Sequence, residues 1–355
     1  SRDLDSFSTG FATVRLLNNA RKYENTNTSS PYSPGIEPLI VLHVDATTDG
    51  GSNYEDIFVG FVTDIGLSYP DSSNSFADFA ASDGFMKLAN TALINASFGS
   101  QTSGALVSSV LDNANVKYST NRNIETGVST MQSLSGISDN TLTVLQQIER
   151  SENGLLFMDR SGTLQFKSRH TTFPSTPSAT FSDDGSDVPY LQVNYINDDN
   201  EIYNIVNLTR VGGSAQLAQD AGSQGKYLIR TLQRTGLYNN SDTEVLEAAN
   251  FLLGKFKDAI IRFDDLVVDL TEASTSNQNT VLAREVGGVV KVELTPPGSG
   301  SPSQITSNEI IDGISFNITP DLFTITYKLS NADVQAFMRL DNALFGIIGT
   351  DKLGY

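Results

Sequence analysis

The alternation of apolar and polar positions predicts that the first 81 residues form β-strands. Apolar and β-branched side chains dominate the run FATVRLL, which favours a pleated strand. In the run LIVLHV, Ile40, Leu42 and Val44 share one face and the intervening residues the other. Turns rich in Asp, Gly and Ser separate the later strands. The strands predicted here cover residues 11–17, 39–44, 54–62 and 76–81.

The stretch ENTNTSSPYSPGIEP interrupts this pattern between the first two strands. Between Asn25 and Pro38 it contains three prolines, a glycine and a cluster of Asn, Thr and Ser. Proline fixes φ and removes an N–H donor, while the short polar side chains hydrogen-bond to nearby backbone. The stretch is therefore predicted to be an ordered connection rather than a helix.

Helical spacing appears in the middle of the chain. Ser82 or Asp83 is predicted to cap a short helix, and Thr102 or Ser103 a second helix with an apolar stripe from Leu106 to Ala114. A third helix is predicted to follow a cap at Ser138 or Asp139 and to end at Gly154. Two short strands, at 155–158 and 163–167, flank Asp-Arg-Ser-Gly, which predicts a hairpin with its glycine in the left-handed region.

The final half returns to strands around one long helix. Ser241 followed by Glu244 is a capping box, and the apolar stripe behind it predicts a helix over residues 241–257. Strands followed by one helix and further strands indicate a β-domain with a single helix packed on it. The strands predicted here cover residues 202–211, 260–270, 289–294, 310–318 and 323–329.

Composition narrows the possible functions. The chain has 355 residues, a length that favours two or three domains. It contains no cysteine, which excludes disulfides, thiolate metal sites and thiol catalysis. No apolar run approaches the length of a membrane span. A net charge of −18 argues against an ordinary nucleic-acid-binding protein, because phosphate affinity comes from clustered Lys and Arg.

No motif indicates an enzyme, a metal site or a cofactor. The two histidines, His43 and His170, lie in a strand and after a hairpin, and we expect neither to have a partner group. Their spacing does not suggest a shared metal. The acidic run SDDGSD lacks the glutamate that closes an EF-hand loop, so a solvated turn is the simpler interpretation. The residues around Lys226 do not fit a phosphate-binding loop. The residues alone indicate an acidic, mostly β, multidomain protein that is not an enzyme.

Several stretches in order along the chain resemble the tail hub proteins, or minor tail proteins, of long-tailed bacteriophages. The resemblance runs from near Leu16 to the closing GIIGTDKLGY and covers almost the whole chain. Each stretch is weakly diagnostic alone, and the order makes the set specific. The stretches are LLNNARKYENTNTSSPYSPGIEPLIVLHV, FVGFVTDIGLSYPD, ASDGFMKLAN, QTSGALVSSVLD, RNIETGVSTMQ, LQQIERSENGLLFMDRSGTLQFKSRH and GLYNNSDTEVLEAANFLLGKF.

The resemblance implies an α+β, mostly β fold with two tail-tube-like β-barrel or sandwich domains and an inserted α/β domain. It places the first tube-like domain at 1–90, with an incomplete start, the inserted domain at 91–175, and the second tube-like domain at 176–355. In such proteins the stretch after Asn25 would carry the chain from one sheet of a tube-type domain to the next strand.

The resemblance also implies a function and partners. Hub proteins of this kind form a homotrimeric ring that continues the tail tube, sits at the virion tail tip after assembly in the host cytoplasm, and lets DNA pass during ejection. The implied neighbours are a distal tail or tail-tube protein, a tape measure protein and a central tail fibre or tip protein. DNA passage would be transient and without stable binding. A receptor-binding adhesin and a hub with cell-wall hydrolase activity are the alternatives.

An acidic bore would repel DNA phosphates and keep the genome from adhering as it moves. The segment from Phe181 to Glu201 contains several carboxylates and neither Lys nor Arg. It is therefore the candidate lining of the channel. The candidate residues are Asp183, Asp184, Asp187, Asp198, Asp199 and Glu201.

Overall fold

The computed structural model describes residues 6–71, 73–118, 121–169, 176–197, 199–259 and 262–332, and the backbone of 337–338 and 352–353. More of the described residues lie in strands than in helices, so the predicted class, α+β with β predominating, is confirmed. Among the described residues, no helix combines the length and apolar character required to cross a membrane.

The N-terminal sheet contains four antiparallel strands in the order β1-β4-β3-β2. All four predicted strands are present, although β3 continues well beyond its predicted end. Val62 and Phe79 lie in the core on its inner face. The strands are β1 (Phe11–Leu17), β2 (Val41–Ala46), β3 (Glu55–Ser68) and β4 (Phe76–Ser82).

The strand order explains the long connection between β1 and β2. These strands are the two edges of one sheet, so residues 18–40 must cross its whole width. Tyr23 anchors the crossing, because its ring packs edge-on against Phe79 at 5.8 Å between centroids. Turn hydrogen bonds then return the chain to the sheet, where the Leu39 N–H donates to the Val62 carbonyl at 2.7 Å. The connection therefore carries the chain from one edge strand to the other edge strand of a single sheet.

The middle of the chain folds around its own apolar core, in which the stripe of the second helix packs on the third helix and on the predicted hairpin. Gly162 of the hairpin turn has φ +77, as predicted. The elements are α1 (Phe85–Ala89), β5 (Ala96–Phe98), β6 (Gln101–Thr102), α2 (Ser103–Leu111), β7 (Arg122–Ile124), β8 (Thr130–Met131), β9 (Leu134–Ile137), α3 (Thr141–Glu152), β10 (Leu155–Met158) and β11 (Leu164–Lys167).

The helix ends agree only in part with the prediction. Helix α1 follows Gly84, and the carboxylate of Asp83, one of the two predicted caps, accepts from the N–H of its first residue, Phe85. Helix α3 is capped by Asn140, whose side chain accepts from the Thr143 N–H, rather than by Ser138 or Asp139. Its left-handed C-terminal residue is Asn153, with φ 55, and not Gly154. Asn tolerates this conformation better than most residues, which explains why the helix ends one residue early.

The C-terminal half contains a larger sheet and a smaller one. In chain order, the strands of the smaller sheet come between two strands that are neighbours in the larger sheet. Its elements in chain order are β12 (Thr180–Ser182), β13 (Val188–Pro189), β14 (Gln192–Ile196), β15 (Ile205–Arg210), β16 (Gln216–Gln219), α4 (Ala221–Tyr227), β17 (Thr231–Leu237), α5 (Asp242–Phe256), β18 (Arg262–Asp269), α6 (Thr275–Leu282), β19 (Val289–Leu294), β20 (Ile305–Thr319), β21 (Leu322–Asn331), β22 (Phe337–Met338) and β23 (Lys352–Leu353).

The larger sheet curls into a barrel. Its seven strands are ordered β13-β12-β19-β20-β21-β18-β14. The pairing directions make both edge strands, β13 and β14, parallel to β19. Only Tyr190 and Leu191 separate these edges in the chain, so the segment 188–196 bridges them. We refer to this sheet as the barrel. Phe58 and Val44 of the N-terminal sheet pack against its apolar core.

The smaller sheet has the order β16-β15-β17 and is covered on one face by α5. We refer to it as the helix-backed sheet. The predicted cap is confirmed at the start of α5, where the Ser241 hydroxyl accepts from the Glu244 N–H at 3.2 Å. The Glu244 carboxylate accepts from the Asn240 N–H at 3.3 Å, one residue before the partner that a capping box predicts. Among the described residues, the buried side chains of this helix form one core with this separate sheet, which differs from the predicted β-domain with a single helix. The domain limits at 90 and 175 remain predictions.

Candidate functional site

Three of the acidic candidates lie in the turn between β12 and β13, and all three are exposed. Asp183 accepts from the Thr295 N–H at 2.8 Å, which places the turn beside the end of β19 at a rim of the barrel. Asp184 accepts from the Ser186 N–H at 2.9 Å and from its hydroxyl at 2.6 Å. These bonds lower the pKa of Asp184, because they stabilise the charged carboxylate. Asp187 accepts a longer bond from the Ser186 hydroxyl, at 3.2 Å.

The remaining candidates follow β14, at the other end of the segment 188–196. Asp199 forms an ion pair with Arg230, whose guanidinium also donates to the Asp199 carbonyl at 2.9 Å. Glu201 lies 3.4 Å from Arg262. The cations therefore offset both of these negative charges locally. Asp198 lies outside the described residues.

The structure thus does not bring the five described candidates into one cluster. Among the described residues, none of the three turn carboxylates pairs with a Lys or Arg, so Asp183, Asp184 and Asp187 keep their negative charge facing solvent. Within the described part of the chain there is also no group of three or more His, Cys, Asp or Glu that could hold a metal ion. The turn can repel anions, and its short-range hydrogen bonds hold its shape.

The histidines were predicted to have no partner group, and for His43 this is wrong. Its Nε2 lies 2.6 Å from Oδ1 of Asp56 on the neighbouring strand β3. Both side chains are substantially exposed, so the contact is a surface pair on the N-terminal sheet. His170 lies outside the described residues.

Asp83 is a buried carboxylate with a structural role that the sequence did not indicate beyond a possible cap. It is 7% exposed and joins the N-terminal segment to α1. Its carboxylate accepts from the Gly10 N–H at 2.6 Å and from the Phe85 N–H at 2.9 Å. Burial nevertheless raises the pKa of Asp83 to about 6, because desolvation outweighs these two bonds.

The tip of the β10–β11 hairpin contacts both the N-terminal sheet and the barrel region. Arg160 donates from Nε to Glu285 at 3.1 Å, close to the start of β19. A Cβ added at Gly162 would lie 2.9 Å from Cγ1 of Val59 in β3. The tip therefore connects the middle part of the chain with the N-terminal sheet and with the barrel region. No feature of its sequence indicated these contacts.

No protein-family model matches the chain, and the search of curated proteins finds no match. Solved structures do match. A 43 kDa prophage MuSo2 tail protein from Shewanella oneidensis is 13% identical, with a TM-score of 0.60 over 93% of this chain and 91% of that protein. A tail protein from Neisseria meningitidis is 13% identical, with a TM-score of 0.57 over 80% of this chain and 82% of that protein.

A third match is a component of the type VI secretion system of E. coli, described as structurally similar to the T4 bacteriophage tail proteins gp27 and gp5. It is 10% identical, with a TM-score of 0.50 over 91% of this chain and 70% of that protein. At such low identity these likenesses establish the fold. The chain has the fold of phage tail proteins, which confirms at this level the resemblance found in the sequence.

Proposed function

We propose that the chain is a structural hub protein at the tail tip of a long-tailed bacteriophage. Three copies form a ring that continues the tail tube and lets DNA pass during ejection. The observation that carries the proposal is the likeness of nearly the whole chain to a prophage tail protein, at 93% coverage. This agrees with the resemblance of the ordered sequence stretches to tail hub proteins.

The arrangement of the chain supports a ring of repeated β-domains. The N-terminal sheet and the barrel are both antiparallel β-structures for most of their strands, and the middle α/β part lies between them in the chain. Two tube-like domains per copy, at 1–90 and 176–355, would let three copies present six similar units to a sixfold tube. The segment 91–175 is then an insertion outside this repeat.

The proposed neighbours follow from a position at the tube end. A distal tail or tail-tube protein lies on one side and a central fibre or tip protein on the other, with a tape measure protein in the lumen. The contribution of the chain is a shaped, negatively charged conduit, since its net charge of −18 disfavours retention of phosphate. No catalytic step is part of the proposal.

The oligomeric state tests the proposal directly. The full chain is purified alone and together with its tube-side neighbour, and its mass is measured by sedimentation and native mass spectrometry. We expect a closed trimer with an axial hole in electron micrographs, in at least one of these two samples. A stable hexamer with identical contacts, or a monomer in both samples and in isolated tails, contradicts the proposed ring.

A further inference from the structure

The helix-backed sheet has one face buried under α5 and one face turned outward. Residues alternate between these faces, so Val206 and Leu208 of β15 point to α5 and the odd-numbered neighbours point away. The strand register aligns the outward residues in two rows, because Ile205 pairs with Gln219 and Thr231, and Asn207 pairs with Leu217 and Gln233. These six residues define the outward face.

None of these six described residues is charged. The face consists of amides, a hydroxyl and two aliphatic side chains, and four of its members are exposed. Leu217 is 52% exposed, and Ile229, two residues before β17, is 69% exposed. An uncharged patch that includes exposed aliphatic side chains matches a protein interface core in one respect, the depletion of charged residues.

Charges occur at the border of this face, and they are paired within the chain. Asp220 follows β16 and contacts Lys257 at 2.9 Å, while Arg230 precedes β17 and pairs with Asp199. A neutral centre surrounded by satisfied polar groups resembles the organisation of a protein interface, in which the rim is polar.

The face is also held in a fixed position. Gln147 of α3 donates to the Gly236 carbonyl at 2.8 Å, and the Asn240 N–H donates to the Thr130 carbonyl at 2.9 Å. The Tyr238 N–H donates to the Ser151 hydroxyl at 2.9 Å. These bonds attach the helix-backed sheet to the middle part of the chain, so little conformational freedom is lost when the face is covered.

We propose that this face is a contact surface for a second copy of the chain, an inference that rests on the proposed ring. Each copy carries a net charge of −18, so two copies repel each other over most of their surfaces. A basic partner would instead be attracted to acidic surface. A neutral, partly apolar face is where a partner of the same charge meets the least repulsion. Because ring closure needs a heterologous contact, the face meets a different surface of the neighbouring copy.

The first test places negative charge on the face with minimal change in shape. The variant Gln219→Glu/Gln233→Glu adds two carboxylates at exposed positions of β16 and β17. Its matched control, Gln192→Glu/Asn317→Asp, adds two carboxylates at exposed strand positions of the barrel. We expect self-association of the first variant to weaken by about tenfold or more, measured by sedimentation with the tube-side neighbour present. The reason is that the new carboxylates would be brought against a second copy that is itself negatively charged. Equal association of both variants and the unmodified chain overturns the inference.

The second test identifies what lies against the face. The chain has no cysteine, so Gln233→Cys introduces a single thiol that can carry a photo-crosslinker. Mixed isotopically labelled and unlabelled copies are assembled, irradiated and analysed by mass spectrometry, with Asn317→Cys as the control. Crosslinks joining a labelled to an unlabelled copy, in excess of the control, are expected.

Two outcomes distinguish this inference from the proposed ring. If the trimer forms but the thiol at position 233 captures only another tail protein, or no more of a second copy than the control does, the contact surface is wrong and the ring stands. If neither the isolated chain, its mixture with the neighbour nor the tail contains a trimer, the proposed function fails, and this inference fails with it.

Discussion

At the residue scale, Asp83 shows how burial and hydrogen bonding compete at one carboxylate. Two backbone N–H groups donate to it and favour its charged form. Desolvation disfavours the same charged form and is the larger effect, so the pKa rises to about 6. The group therefore binds a proton in the folded chain at pH values where an unfolded chain has released it.

This raised pKa predicts the direction of a pH effect. As pH falls from about 7 to about 4, the folded chain takes up a proton at Asp83 before the unfolded chain does. Asp83 therefore contributes to the stability of the folded chain at low pH, and this contribution is lost as pH rises through about 6. Relative to Asp83→Asn, the unmodified chain should gain up to about 3 kcal/mol in unfolding free energy over this range. Denaturant unfolding at several pH values measures the difference.

The exposed variant Asp64→Asn serves as the control for other carboxylates, since Asp64 lies at the surface of β3. Its stability should follow that of the unmodified chain within a few tenths of a kcal/mol over the same pH range. A constant difference between the unmodified chain and Asp83→Asn at every pH would contradict the assigned proton uptake.

At the element scale, the sequence predicted elements whose signal is local. The strand Val289–Leu294 is found as predicted, and so is the helix cap at Ser241, because alternation and capping depend on neighbouring residues. The short strands β5 to β9 were not predicted, since two to four residues carry too little periodicity. Their pairing is set by tertiary contacts, as is the packing of α5 on its own sheet.

Two glycines with similar φ allow the cost of a steric contact to be separated from the cost of a left-handed backbone conformation. Gly162 and Gly185 have nearly the same φ, +77 and +80, but an added Cβ meets Val59 at the first and has nothing within 4 Å at the second. Gly185→Ala should cost about 1 kcal/mol from backbone strain alone. Gly162→Ala should cost roughly 1 to 3 kcal/mol more, because the hairpin must withdraw from β3.

Thermal or denaturant unfolding of the two variants, compared with the unmodified chain, gives the difference. Limited proteolysis near the hairpin adds a local measurement, since a loosened tip exposes the junction with the N-terminal sheet. Equal destabilisation by both substitutions would show that contact with Val59 contributes nothing to the attachment of the hairpin.

At the scale of the whole molecule, charge is distributed in a way that composition does not reveal. The sequence identified an acidic segment correctly as a run without Lys or Arg. It could not show that Arg230 and Arg262, distant in sequence, offset Asp199 and Glu201. Nor could it show that the outward face of the helix-backed sheet lacks charge, because that face combines three separated strands. Both facts depend on which strands become neighbours.

If the turn between β12 and β13 faces the proposed channel, its three carboxylates act on DNA by repulsion. Reversal of Asp183, Asp184 and Asp187 to Lys should then leave particles assembled but slow DNA ejection at low salt. Screening extends about 30 Å at 0.01 M salt and about 10 Å at 0.1 M, so added salt should relieve the defect. The measurement is ejection from purified particles across this range of ionic strength.

The neutral triple variant with Asn at the same three positions separates charge from turn structure. Asn can still accept the turn hydrogen bonds, so its ejection rate should lie between those of the unmodified and the Lys-bearing particles. The Asn variant only loses repulsion of the DNA, whereas the Lys variant also attracts it, so an electrostatic effect must be larger in the Lys variant. Equal defects in the two variants would therefore assign the effect to turn geometry. Unchanged ejection in the Lys variant at low salt would mean that this turn does not face the DNA. The acidity of the turn would then serve solubility, and the electrostatic role would have to belong to other carboxylates of the chain.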